Sequence, residues 1–94
     1  MKYTLIAVSV NSVAVVRDYD DTVKLAKEAA DCMAVNIRKL LVTQGDAVIF
    51  ENYGLNNDLK WKEIEEQIET VKNPLRILTE NERKTIERIK YRVM

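Results

Sequence analysis

The chain predicts an α+β domain, in the order ββαβαα, with a small antiparallel or mixed sheet of three to four strands packed by one long helix and two C-terminal helices. Three observations predict it. Two runs rich in β-branched residues open the chain and are separated by a polar pair. A long stretch with helical periodicity follows an acidic cluster. Behind a third β-rich run come two more amphipathic stretches, each preceded by capping residues.

Residues 2–10 (Lys-Tyr-Thr-Leu-Ile-Ala-Val-Ser-Val) and 13–17 (Val-Ala-Val-Val-Arg) read as a β-hairpin, because Asn11-Ser12 suits a tight two-residue turn. That turn sets Val10 against Val13, Val8 against Val15 and Ile6 against Arg17. Both faces of the pair are largely apolar, which predicts a hairpin that is covered twice or covered in part by another subunit. The run from Thr4 to Val16 behind Met1-Lys2-Tyr3 also has the outline of a short signal peptide. Its polar Asn11-Ser12 centre and its β-branched, leucine-poor make-up favour strands.

Asp18, Asp20 and Asp21 supply caps for a helix expected from about Thr22 to Leu41, with a stripe of Val23, Ala26, Ala30, Met33, Ile37 and Leu40. Gln44-Gly45-Asp46 is the stop and turn, and residues 47–53 form a further strand. Asn56-Asn57-Asp58 would cap a second helix over about 59–72, buried along Trp61, Ile64, Ile68 and Val71. Asn73-Pro74 ends it. Residues 75–78 make a short extended link or a fourth short strand, and Thr79-Glu-Asn-Glu82 has the form of a capping box opening a third helix along Ile86, Ile89 and Val93. Residues 89–93 also alternate, so helix and strand both fit there. No linker or repeat divides the chain, so residues 1–94 are read as a single domain.

Fifteen basic and fifteen acidic side chains cancel, so no global field draws the chain toward nucleic acid or an anionic membrane. Residues 48–72 carry three basic and six acidic side chains, and residues 73–94 carry six and three. The bland account of this asymmetry is two helices that complement each other or present solvated faces. A single cysteine makes an internal disulfide impossible, and the cytoplasm is the expected compartment. No apolar stretch reaches the roughly 20 residues of a membrane span.

Histidine is absent, which removes Ser-His-Asp and Cys-His catalysis and, with one cysteine, a zinc site of Cys and His. Gly45 and Gly54 stand alone, so there is no phosphate-cradling loop. No cofactor is implied. Asp18, Asp20 and Asp21 are the best carboxylate group for a hard cation, though capping explains them without a ligand. Cys32, beside Met33, reads as a small core residue.

The expectation for function is therefore a non-enzymatic protein-binding module that masks a surface of another macromolecule, and that self-associates as a homodimer or higher oligomer. Small neutral domains without catalytic motifs are often regulators or inhibitors, including those carried by phages and mobile elements. The candidate partner surface is the acidic face Glu63, Glu66 and Glu69 together with Trp61, a residue type enriched at interfaces but first of all a core residue here. The alternative is a nucleic-acid accessory protein using Lys84, Arg88 and Arg92, spaced at i, i+4 and i+8, with Tyr91 placed to stack on a base.

Overall fold

The computed structural model describes residues 2–9, 14–33, 37–53 and 60–93; within these, the side chains of residues 9, 14, 33, 37 and 90–93 are not described. Eight elements follow in order: β1 (Tyr3–Ser9), β2 (Ala14–Tyr19), α1 (Thr22–Met33), β3 (Ile37–Gln44), β4 (Ala47–Asn52), α2 (Trp61–Thr70), β5 (Arg76–Ile77) and α3 (Glu80–Val93). The class is α+β. The sheet has five strands in the order β2-β1-β3-β4-β5, and every neighbouring pair is antiparallel.

The extra strand comes from the end of the expected first helix. Helix α1 stops at Met33, and residues 37–41 belong to β3, next to β1 in the middle of the sheet. Leu40, Leu41 and Val42 are all buried, as a strand covered on both faces requires. The helical spacing of Ile37 and Leu40 was a coincidence of a short apolar segment, broken by Arg38-Lys39, that fits helix and strand alike. The buried stripe of α1 is accordingly Leu25, Ala26 and Ala29, with Ala30 and Cys32 packed at its margin. Asp21 caps this helix: its Oδ1 accepts the Val23 N–H at 2.8 Å.

The first hairpin also differs by one residue. Ile6 stands opposite Val16, Leu5 opposite Arg17 and Val8 opposite Ala14. A two-residue turn at Asn11-Ser12 would require the neighbouring register, and such a slip exchanges the faces of one strand; residues 10–13 themselves lie outside the described part. The β3–β4 hairpin does close with two residues, Gly45-Asp46, between the paired Gln44 and Ala47. Gly45 sits at φ 61°, in the left-handed region that glycine enters without strain.

Two cores lie on the two faces of the sheet. Leu5, Ala7, Leu40, Val42, Ile49 and Phe50 meet α1 and the α2 residues Ile64 and Ile68. On the other face Ile6, Leu41, Val48 and Leu78 form a smaller core against which Val16 and Ile86 of α3 pack. The sheet is thus covered twice by its own helices. Helix α2 starts at Trp61 after Lys60, which makes no side-chain cap, so the expected start near residue 59 is corrected; Asn56-Asn57-Asp58 fall outside the described residues. The Thr79 capping box is present. Glu82 N–H donates to Thr79 Oγ1 at 3.2 Å, and Thr79 N–H donates to Glu82 Oε1 at 2.9 Å. Residues 89–93 continue α3 as helix.

Candidate functional site

The acidic residues singled out on α2 do not act as one group. Glu63 and Glu66 are exposed, whereas Glu69 Oε1 accepts the Thr22 hydroxyl at 3.0 Å and ties α2 to α1. Trp61 is half-buried against the first core, with Lys27 Nζ 4.9 Å and Lys62 Nζ 5.8 Å from the ring centroid. Both ammonium groups lie at cation–π distance, so the indole is part of the α1–α2 contact.

The basic stripe on α3 is described in part. Lys84 is 71% exposed and lies 3.7 Å from Glu80, one turn earlier. Arg88 is exposed, while the side chains of Tyr91 and Arg92 are outside the described residues. Arg83 pairs with Asp46 at 3.5 Å. Of the N-terminal carboxylates, Asp18 accepts the Thr4 hydroxyl at 2.8 Å, Asp21 caps α1 and Asp20 is exposed. Among the described residues no cluster of three His, Cys, Asp or Glu side chains could hold a metal ion. Burial, then the negative charges of Glu28 and Asp31, push the Cys32 thiol up, against a smaller opposing effect of Arg17; the thiolate is disfavoured.

The structure assembles a charge network that the chain order does not reveal. Arg76 of β5 is held between two carboxylates: its Nη2 is 2.8 Å from Glu51 Oε1 and its Nη1 is 2.7 Å from Glu82 Oε1. Lys39 Nζ reaches Glu82 Oε2 at 2.7 Å, and the Tyr53 hydroxyl donates to Glu51. These carboxylates are only 14% exposed. Hydrogen bonding from Arg76, and secondarily from Lys39 and the Thr79 N–H, holds the Glu82 carboxyl far below the usual range despite partial burial; Arg76 does the same for Glu51 more mildly. The guanidinium is correspondingly raised, first by Glu82 and then by Glu51. The network fastens the start of α3 onto three strands.

Beside it, α3 and the sheet leave a half-open groove of about 270 Å³. Ile6, Val8, Leu41 and Ile86 form its apolar lining, with Arg38 and Lys39 among its polar neighbours. Among the described residues, large apolar side chains are exposed at the sheet's margins: Leu75 and Ile77 at β5 are 59% and 55% exposed, Val15 of edge strand β2 is 39% exposed, and Tyr53 follows β4. The sequence pattern allowed a short strand at 75–78, where β5 lies, but gave no reason for two of its apolar side chains to stay in water. No helix among the described residues is long and apolar enough to cross a membrane. Compared with protein-family models, with curated proteins and with solved structures, the chain matches none.

Proposed function

We propose that this chain is a small, non-enzymatic protein-binding module that regulates or inhibits a partner by covering part of its surface. The observation that supports it is the outward position of Leu75 and Ile77. Ile77 lies in β5 and Leu75 just before it, at the margin of a sheet whose two faces are already covered by α1, α2 and α3. Apolar side chains left in water beside an open strand edge suit a partner that contributes its own apolar surface, or a strand, at that margin. The exposed Glu63 and Glu66 on α2, which leads through residues 71–75 into this edge, would add a charged rim that selects a basic partner.

The test is affinity capture with cross-linking from the native lysate, comparing the wild type with Leu75→Glu/Ile77→Lys and with Glu63→Lys/Glu66→Lys. One partner should be held by the wild type, lost with the first pair and weakened with the second, while all three proteins keep the same circular dichroism. A partner retained undiminished by both double variants would overturn the reading, as would a wild-type protein that retrieves nothing.

The exposure of Lys84 and Arg88 supports a second reading, an accessory nucleic-acid binder. It requires salt-sensitive binding to DNA or RNA that Lys84→Ala/Arg88→Ala removes. The Lys84–Glu80 pair within α3 and the pairing of Arg83 with Asp46 of the β3–β4 turn weigh against it.

A further inference from the structure

The β1–β3 ladder contains an irregularity at the mouth of the α3 groove. Val8 stands opposite Lys39, but Ser9 stands opposite Ile37, so Arg38 is the extra residue of a β-bulge. A regular strand would send Arg38 and Lys39 to opposite faces of the sheet; a bulge re-aims one of them. Both residues line the same groove here. The second irregularity in the sheet has the same effect. Ile49 is the extra residue between the Val42–Phe50 and Thr43–Val48 pairs, and Ile49 and Phe50 both enter the first core.

The two cations differ in what they face. Lys39 is engaged by Glu82 at 2.7 Å. Arg38 is exposed, and among the described residues no carboxylate pairs with it. Among the described residues the groove therefore offers an apolar floor, the Glu82 carboxylate already paired with Lys39 and Arg76, and one guanidinium without a carboxylate partner. Its volume of about 270 Å³ falls just under the range of about 300–1,000 Å³ usual for small-molecule sites.

We propose that this groove binds a small amphiphilic carboxylate, with a short alkyl chain or single aromatic ring against Ile6, Val8, Leu41 and Ile86 and its anionic head on Arg38. A carboxylate matches the planar fork of a guanidinium through two parallel hydrogen bonds, and the apolar body covers surface that α3 leaves open. The site is separate from the β5 margin, so it stands or falls independently of the protein-binding reading.

The test is a titration of the ¹⁵N-labelled full chain with octanoate, below its micelle threshold, followed through the backbone amides. Acetate, octanol and octylamine serve as comparisons. Octanoate should shift the amides of Val8, Arg38, Leu41 and Ile86, with acetate and octylamine weaker by about tenfold or more and octanol intermediate. Arg38→Gln should weaken octanoate by about tenfold or more, the loss expected for one charge-assisted contact, and Arg38→Lys should restore part of it. Thr85→Trp, a larger side chain on the groove wall, should block octanoate. Arg38 is exposed, so its variants fold even if Thr85→Trp does not. Equal binding of octylamine and octanoate would overturn the proposal. Equal binding of acetate, undiminished octanoate affinity in Arg38→Gln, or shifts elsewhere on the chain would do the same.

Discussion

Glu82 takes part in two structures at once. One of its oxygens completes the capping box of α3 by accepting the Thr79 N–H, and the carboxylate also neutralises Arg76 and Lys39. Glutamine keeps the acceptor and removes the charge, so Glu82→Gln separates the two roles. Because the carboxyl's value in the fold lies far below the unfolded value of about 4.3, its contribution is fully present above that unfolded value. It drains away as pH falls below about 4 toward the folded value. Glu51, shifted the same way, adds to this acid-sensitive limb. Urea unfolding at pH 7 should show Glu82→Gln less stable than wild type by about 2 kcal/mol, since it leaves a partly buried cation pair short of one countercharge. At pH 3 the gap should narrow. Curves that stay parallel from pH 7 to pH 3 would show that the carboxylate's charge contributes nothing. Local signals made the Thr79–Glu82 box legible, because its partners are three residues apart; Lys39, Glu51, Arg76 and Glu82 carry no such signal, since only the sheet order brings them together.

At the scale of elements, helix α2 and strand β4 followed from periodicity, whereas β3 did not. Ile64 and Ile68 fall on one side of a helix with charges around them, a pattern with one solution. Residues 37–42 hold Ile, Leu, Leu and Val around Arg38-Lys39, and a short apolar run of this kind satisfies a buried helix and a twice-covered strand alike. Neither cover was visible before the fold. The two assignments differ in what they ask of Leu41. On a helix bearing the Ile37–Leu40 stripe, Leu41 follows Ile37 by four residues and joins Leu40 on the same buried side. In β3, Leu40 enters the core under α1 and α2, and Leu41 enters the core under α3. Leu40→Ala and Leu41→Ala should therefore each cost about 2–5 kcal/mol in equilibrium denaturation. The two losses should add in the Leu40→Ala/Leu41→Ala double variant, as for two separate cores; a combined loss well short of the sum would place both side chains in one core and restore the helical assignment. The hairpin register was hidden for a related reason: with apolar residues on both faces of β1, hydrophobicity does not distinguish one register from the next, and only the turn could have done so.

For the whole molecule, the consequence of a sheet covered on both faces is that its two cores are unequal. The larger one is closed by α1 and α2 together. The smaller depends on α3, which packs Ile86 over Ile6, Leu41, Val48 and Leu78 and is pinned by Glu82 and by the Arg83–Asp46 pair. Removing residues 79–94 would leave β1, β3 and β4 with one apolar face in water and Arg76 with Glu51 alone. Such a face is large enough to drive association of the chain with itself, because burial of apolar area is the main favourable contribution to folding. The 1–78 chain should keep strand signal in circular dichroism but bind an apolar dye and show a mass that rises with concentration in light scattering. The full chain should not bind the dye, and its mass should rise less with concentration than that of the truncated chain. A truncated chain that stays monomeric, dye-free and as heat-resistant as the full one would mean that α3 does not close a core.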